Sequence, residues 1–122
     1  MLALIRTLLV GLVALEHFAF LYLEMFAWTT PRARRAFGTT AEFAQESRVL
    51  AANQGLYNGF LAAGLIWSLV HPSAGAGREL QLFFLGCVLV AAIYGGLSVK
   101  RSILLVQGGP ALLALLAVLA AS

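Results

Sequence analysis

Aspartate is absent from the 122 residues, lysine occurs once, at Lys100, and charged residues of every kind make up only 11%. A soluble domain carries about 25% charged and about 45–50% apolar residues. Here the apolar share is 61%. A chain this short has too much surface for its volume to hide so many apolar side chains from water. The composition therefore excludes an ordinary soluble domain and is that of a single integral membrane domain, residues 1–122. Cysteine is equally scarce. The lone Cys87 excludes a disulfide within one chain and a cysteine metal cluster.

The few charges are unevenly placed. The formal net charge is +3, and the basic residues gather at Arg32, Arg34, Arg35 and Arg48 and again at Lys100 and Arg101. Both groups flank apolar runs, so the expected partners are the lipid bilayer and anionic headgroups, with no nucleic acid.

A membrane helix needs about 20 mostly apolar residues. Four segments qualify, at about residues 2–28, 49–70, 80–98 and 102–121. The first is too long for a signal-peptide core and no small-x-small site follows it, so it is expected to be retained. The expected fold is all-α: an antiparallel, up-down bundle of four transmembrane helices. HPSAGAG makes the second connection a short turn of helix breakers. The first connection has structure of its own. Thr30-Pro31 opens a short helix, Gly38 closes it, and Thr39 with Glu42 three residues on fits a capping box. Four spans place the first and third connections, which hold most of the basic residues, on one side. The excess of Arg and Lys then puts these connections in the cytoplasm and both termini outside, in a multi-pass protein of the cell membrane.

Polar residues recur at one depth. Glu24, Asn53, Gln54, Tyr57, Asn58, Tyr94 and Gln107 fall roughly 6–14 Å below the cytoplasmic surface at about 1.5 Å rise per residue, and Glu16 and His17 lie nearer the midplane. At about 100° per residue, His17 and Glu24 share a face of the first span. Asn53, Gln54, Tyr57 and Asn58 share a broader face of the second. Gly55 and Gly59 are expected on its opposite side, as a small-residue edge for another helix or a second copy of the chain. Ala92 and Gly96 form a similar edge on the third span. Pro110, which cannot donate to the Val106 carbonyl, kinks the fourth span beside Gln107.

The stretches EHFAFLYLEMFAW, ANQGLYNGF, AAIYGG and VQGGPALLAL resemble, in this order, the integral membrane family catalogued as domain of unknown function 1304. The resemblance covers nearly the whole chain and takes in Glu16, His17, Glu24, Asn53, Gln54, Tyr57, Asn58, Tyr94 and Gln107. It implies a four-helix membrane protein and brings no activity with it.

A carboxylate at the centre of a membrane helix costs about 2.5–3.5 kcal/mol on insertion scales, so Glu16, His17 and Glu24 call for a reason. Three readings compete. In the first, the helices enclose a polar pocket open toward the cytoplasmic leaflet that binds, and as an enzyme converts, a small hydrophobic ligand. His17, Glu24 and Glu16 would be the acid and base groups. Asn53, Gln54, Tyr57, Asn58, Tyr94 and Gln107 would bind the ligand. Isomerisation, cyclisation or hydrolytic ring opening needs only proton donors and acceptors in a dry site, with no cofactor. In the second, the chain is a small proton-coupled transporter. In the third, it is a structural or accessory membrane protein whose polar groups only bond helix to helix. A metal site at Glu16, His17 and Glu24 is disfavoured, because adjacent residues on a helix point apart and no second histidine lies within a span.

Overall fold

The computed structural model describes residues 1–121, which form seven helices and, among the described residues, no strand. The first, α1, is Leu2–Phe26, a run of 25 residues without proline. It stops before Pro31, whose ring forces Thr30 into extended backbone at φ −71° and ψ 155°. Thr30 links the two segments it separates. Its hydroxyl donates to the Ala27 carbonyl at 2.7 Å, and its oxygen accepts from the Ala33 amide at 3.3 Å, capping α2, Pro31–Phe37.

Gly38 ends α2 in the left-handed region at φ 69°, where a residue without Cβ is unstrained. This closure corrects the expected capping box. The Thr39 amide is used up on the Arg34 carbonyl at 3.0 Å as part of the α2 terminus. The cap of α3, Ala41–Glu46, therefore moves to Thr40, whose hydroxyl oxygen accepts from the Phe43 amide at 3.1 Å. Only Ser47 separates α3 from α4, Arg48–Val70.

The helix after the second connection is longer than expected. Helix α5 is Ala74–Ser98, so Gly75 and Gly77 belong to it and the turn shrinks to His71–Ser73. Ser73 caps the new start, accepting from the Ala76 amide at 3.3 Å. Gly77 serves close approach rather than a bend: a Cβ there would lie 2.7 Å from the Ser68 carbonyl oxygen. The last apolar run is divided at Gln107 into α6, Ser102–Val106, and α7, Gly108–Ala120. The division sits beside Pro110, as the missing proline N–H requires.

Among the described residues three stretches are long and apolar enough to cross a membrane: Leu2–Phe26, Ala74–Ser98, and Ser102–Ala120, the last formed by α6 and α7 together. The protein is thus all-α, with the spans of a membrane protein. Helix α4 has the length, 23 residues, but Asn53, Gln54 and Asn58 lower its mean hydropathy, and it is not one of the three.

Contacts group the chain into two compact units, residues 16–60 and residues 1–15 with those from 61 onward. The latter holds the apolar core, built on Val10, Val13, Leu65, Leu85, Val88 and Val118 with small alanines between them. The Ala92–Gly96 edge is used inside this unit: Gly96 meets the Leu104 side chain, and a Cβ on Gly108 would lie 3.3 Å from that of Ala92. In the unit of residues 16–60, α1 and α4 meet along Gly55 and Gly59, which face Leu21, Glu24 and Met25.

Candidate functional site

Glu24 sits in the last two turns of α1 and is 1% exposed. Two side chains of α4, one turn apart, converge on it. Gln54 donates its Nε2 to Oε2 of Glu24 at 2.7 Å, and Asn58 donates its Nδ2 to Oε1 at 2.5 Å. An ionised carboxylate has only acceptors, so both amides turn their NH2 groups toward it. Neutral donors therefore hold the carboxylate, while Arg32 and Arg48 are exposed.

The glycines make this reach possible. A Cβ on Gly55 would fall 2.9 Å from Cβ of Glu24 and 2.8 Å from Cγ of Met25, and one on Gly59 would meet the Leu21 side chain. The helix backbones approach closely enough for the short Asn58 side chain to span the gap. The expected small-residue edge is thus the contact with α1 itself, and it adjoins Gln54 and Asn58 instead of standing apart from the polar face. At about 100° per residue, the direction toward α1 falls between Gln54 and Asn58 on one flank and Gly55 and Gly59 on the other. Asn53 and Tyr57 lie beyond that seam and are exposed; the Tyr57 ring packs edge-on to Phe60 at 5.8 Å.

His17 is fully buried, its ring edge-on to that of Phe20 with centroids 5.3 Å apart. It stands two turns before Glu24 on the same face of α1, about 10 Å away along the axis. Glu16 is half-buried, and its Oε1 is enclosed with no hydrogen-bond partner among the described residues. Tyr94 and Gln107 belong to the other unit. Tyr94 is 74% exposed on an apolar face of α5 that also carries Phe83 and Val90, and Gln107 is half-buried at the α6–α7 division.

Two features of the structure have no counterpart in the sequence reading. Trp28 donates its indole N–H to the Ser47 hydroxyl at 3.0 Å, tying the end of α1 to the start of α4. The Ser47 hydroxyl in turn donates to the Phe43 carbonyl at 2.6 Å. The other feature is the burial of Gln81. The available signal was an amide inside an otherwise apolar stretch of α5, three residues after Arg78.

The family model described as "Protein of unknown function (DUF1304)" matches residues 11–119. The chain belongs to this family. Its match takes in Glu16, His17, Glu24, Asn53, Gln54, Tyr57, Asn58, Tyr94 and Gln107. "Uncharacterized protein YpaA" of Lactococcus lactis subsp. lactis (strain IL1403) is 40% identical over 107 residues, which is 86% of this chain and 88% of that protein. No solved structure matches. Membership in DUF1304 thus adds a lineage, and any chemistry has to be read from the residues themselves.

Proposed function

We propose that this DUF1304 protein binds a small lipid-soluble molecule at a polar intramembrane site centred on Glu24, open toward the cytoplasmic leaflet, and acts on it by acid–base chemistry. The observation that carries the reading is the buried Glu24 carboxylate with an amide of α4 on each oxygen. In hydrocarbon every polar group must find an internal partner. Gln54 and Asn58 find theirs in Glu24, which removes much of the cost of placing α4 in the bilayer. This supports α4 as a fourth span, in an antiparallel bundle with both termini outside and the Arg-rich connection, Lys100 and Arg101 in the cytoplasm.

The same geometry suits proton chemistry. Protonating Glu24 would turn one acceptor into a donor, and one amide would have to rotate its carbonyl toward it. A hydroxyl or amine of a bound molecule can take the place of either amide with less rearrangement. His17, on the same face two turns away, supplies a second proton-carrying group on the path such a molecule would follow along α1. Glu16, with an unpartnered oxygen, supplies a third. No Arg or Lys side chain is needed in this scheme, which fits a carboxylate held by neutral donors.

A small proton-coupled transporter is the second reading, favoured by the same carboxylate, since a buried acid whose amide partner reorients on protonation is also a proton carrier. Native mass spectrometry of detergent-purified protein tests the proposal. A hydrophobic molecule retained at one per chain is the expected result. Protein that releases only bulk lipid would overturn it and leave the polar cluster as a helix-to-helix bond.

A further inference from the structure

A second polar place lies in the other unit, at the α4–α5 turn. Arg6, Ser68, His71, Arg78 and Gln81 line a pocket of about 210 Å³. Three buried atoms of these residues have no hydrogen-bond partner among the described residues: Nε of Arg6, Nε of Arg78 and Oε1 of Gln81. Gln81 is only 3% exposed, so its carbonyl oxygen cannot turn to bulk water. Neither guanidinium meets a carboxylate among the described residues. Glu79 is exposed and does not line the pocket. Arg6 reaches one backbone carbonyl, that of Ala121, from Nη1 at 3.5 Å.

The remaining wall adds to the positive character. The start of α5 lies there, with the positive end of its helix dipole. His71 accepts the Ser73 amide on Nδ1 at 3.0 Å, which leaves its ring proton on Nε2. Two cationic forks, an imidazole N–H and a helix start define a place for an anion. The Gln81 carbonyl adds a condition, because an acceptor amid donors calls for a ligand that also donates. A phosphate bearing a hydroxyl meets both demands: its anionic oxygens take the guanidinium N–H groups and its O–H goes to Gln81.

We propose that this pocket binds a hydroxyl-bearing phosphate, supplied either by the headgroup of an anionic phospholipid such as phosphatidylglycerol or by free inorganic phosphate. The site is separate from Glu24 and stands whether or not that residue binds a ligand.

The test is native mass spectrometry with a parallel thermal-shift titration of the purified protein. The probes are short-chain phosphatidylglycerol, short-chain phosphatidylcholine and inorganic phosphate. Phosphatidylcholine carries a phosphate but no hydroxyl donor and no net charge. The expected result is saturable binding of one phosphatidylglycerol per chain. Binding should be roughly tenfold weaker in Arg78→Gln and in Arg6→Gln. It should be largely kept in Arg78→Lys, which preserves the charge and guards against a misfolded variant. Gln81→Leu should narrow the preference for phosphatidylglycerol over phosphatidylcholine. Saturation by inorganic phosphate alone, lost in the same arginine variants, would support the site and assign its source to soluble phosphate. Equal response to both lipids in the wild type, or unchanged affinity in both Arg→Gln variants, would overturn the proposal.

Discussion

Gly55 of α4 and Glu24 of α1 stand so close that a Cβ on the glycine would lie 2.9 Å from the Cβ of the glutamate. That approach brings Gln54 and Asn58 within hydrogen-bond reach of the carboxylate. Gly55→Ala should therefore push α1 and α4 apart and destabilise the protein in detergent by about 1–3 kcal/mol, the usual cost of overpacking. Gly11→Ala is the control, since nothing lies within 4 Å of a Cβ there. It should leave the melting temperature unchanged or slightly raised. Equal losses in both variants would contradict the close contact.

The carboxylate–amide bonds predict a difference between neighbours on α4. Asn58→Leu removes a donor from a buried carboxylate and should cost about 1–3 kcal/mol. Asn53→Leu, at an exposed position, should leave the melting temperature within error. A double-mutant cycle on Glu24→Leu and Asn58→Leu should give a coupling above about 1 kcal/mol, larger than the average of about 0.6 for polar pairs in membrane helices. A coupling near zero would show that the two side chains do not sense each other.

Much of this was legible in the sequence, and the misreadings have local causes. Pro31, Gly38 and Pro110 announced the ends and divisions of helices because each acts through its own backbone. The capping box at Thr39 failed because Gly38 had already committed the Thr39 amide to the preceding helix. The early start of α5 was hidden because Gly75 and Gly77 read as breakers, whereas Gly77 is there to meet the Ser68 carbonyl. Glu24 on the first span, and Gln54 and Asn58 together on one face of the second, stood out as polar residues in apolar text. That Asn53 and Tyr57 turn away from them depends on where the seam of α4 falls, which only the position of α1 decides.

The relocated cap gives its own prediction. Thr40→Ala should free the Phe43 amide and speed its hydrogen exchange, with a local cost of about 1 kcal/mol. Thr39→Ala should not change that amide, because its hydroxyl caps nothing. Faster exchange in Thr39→Ala alone would restore the original capping box.

The proposed fourth span can be read by chemical labelling. In a Cys87→Ser background, a thiol placed by Gln45→Cys should react only from the cytoplasmic side. One placed by Ser73→Cys should react only from outside. Labelling of both positions from one side would remove α4 from the bilayer.

Glu24 as the centre of a binding site is tested most directly by comparing what co-purifies with four variants. Protein is extracted in mild detergent, and the retained small molecules are identified and quantified by mass spectrometry. Glu24→Gln and His17→Ala are expected to lose a hydrophobic molecule that the wild type holds, while Asn53→Ala and Tyr57→Phe keep it. Retention in Glu24→Gln at the wild-type level, or wild-type protein with nothing bound, would contradict the account.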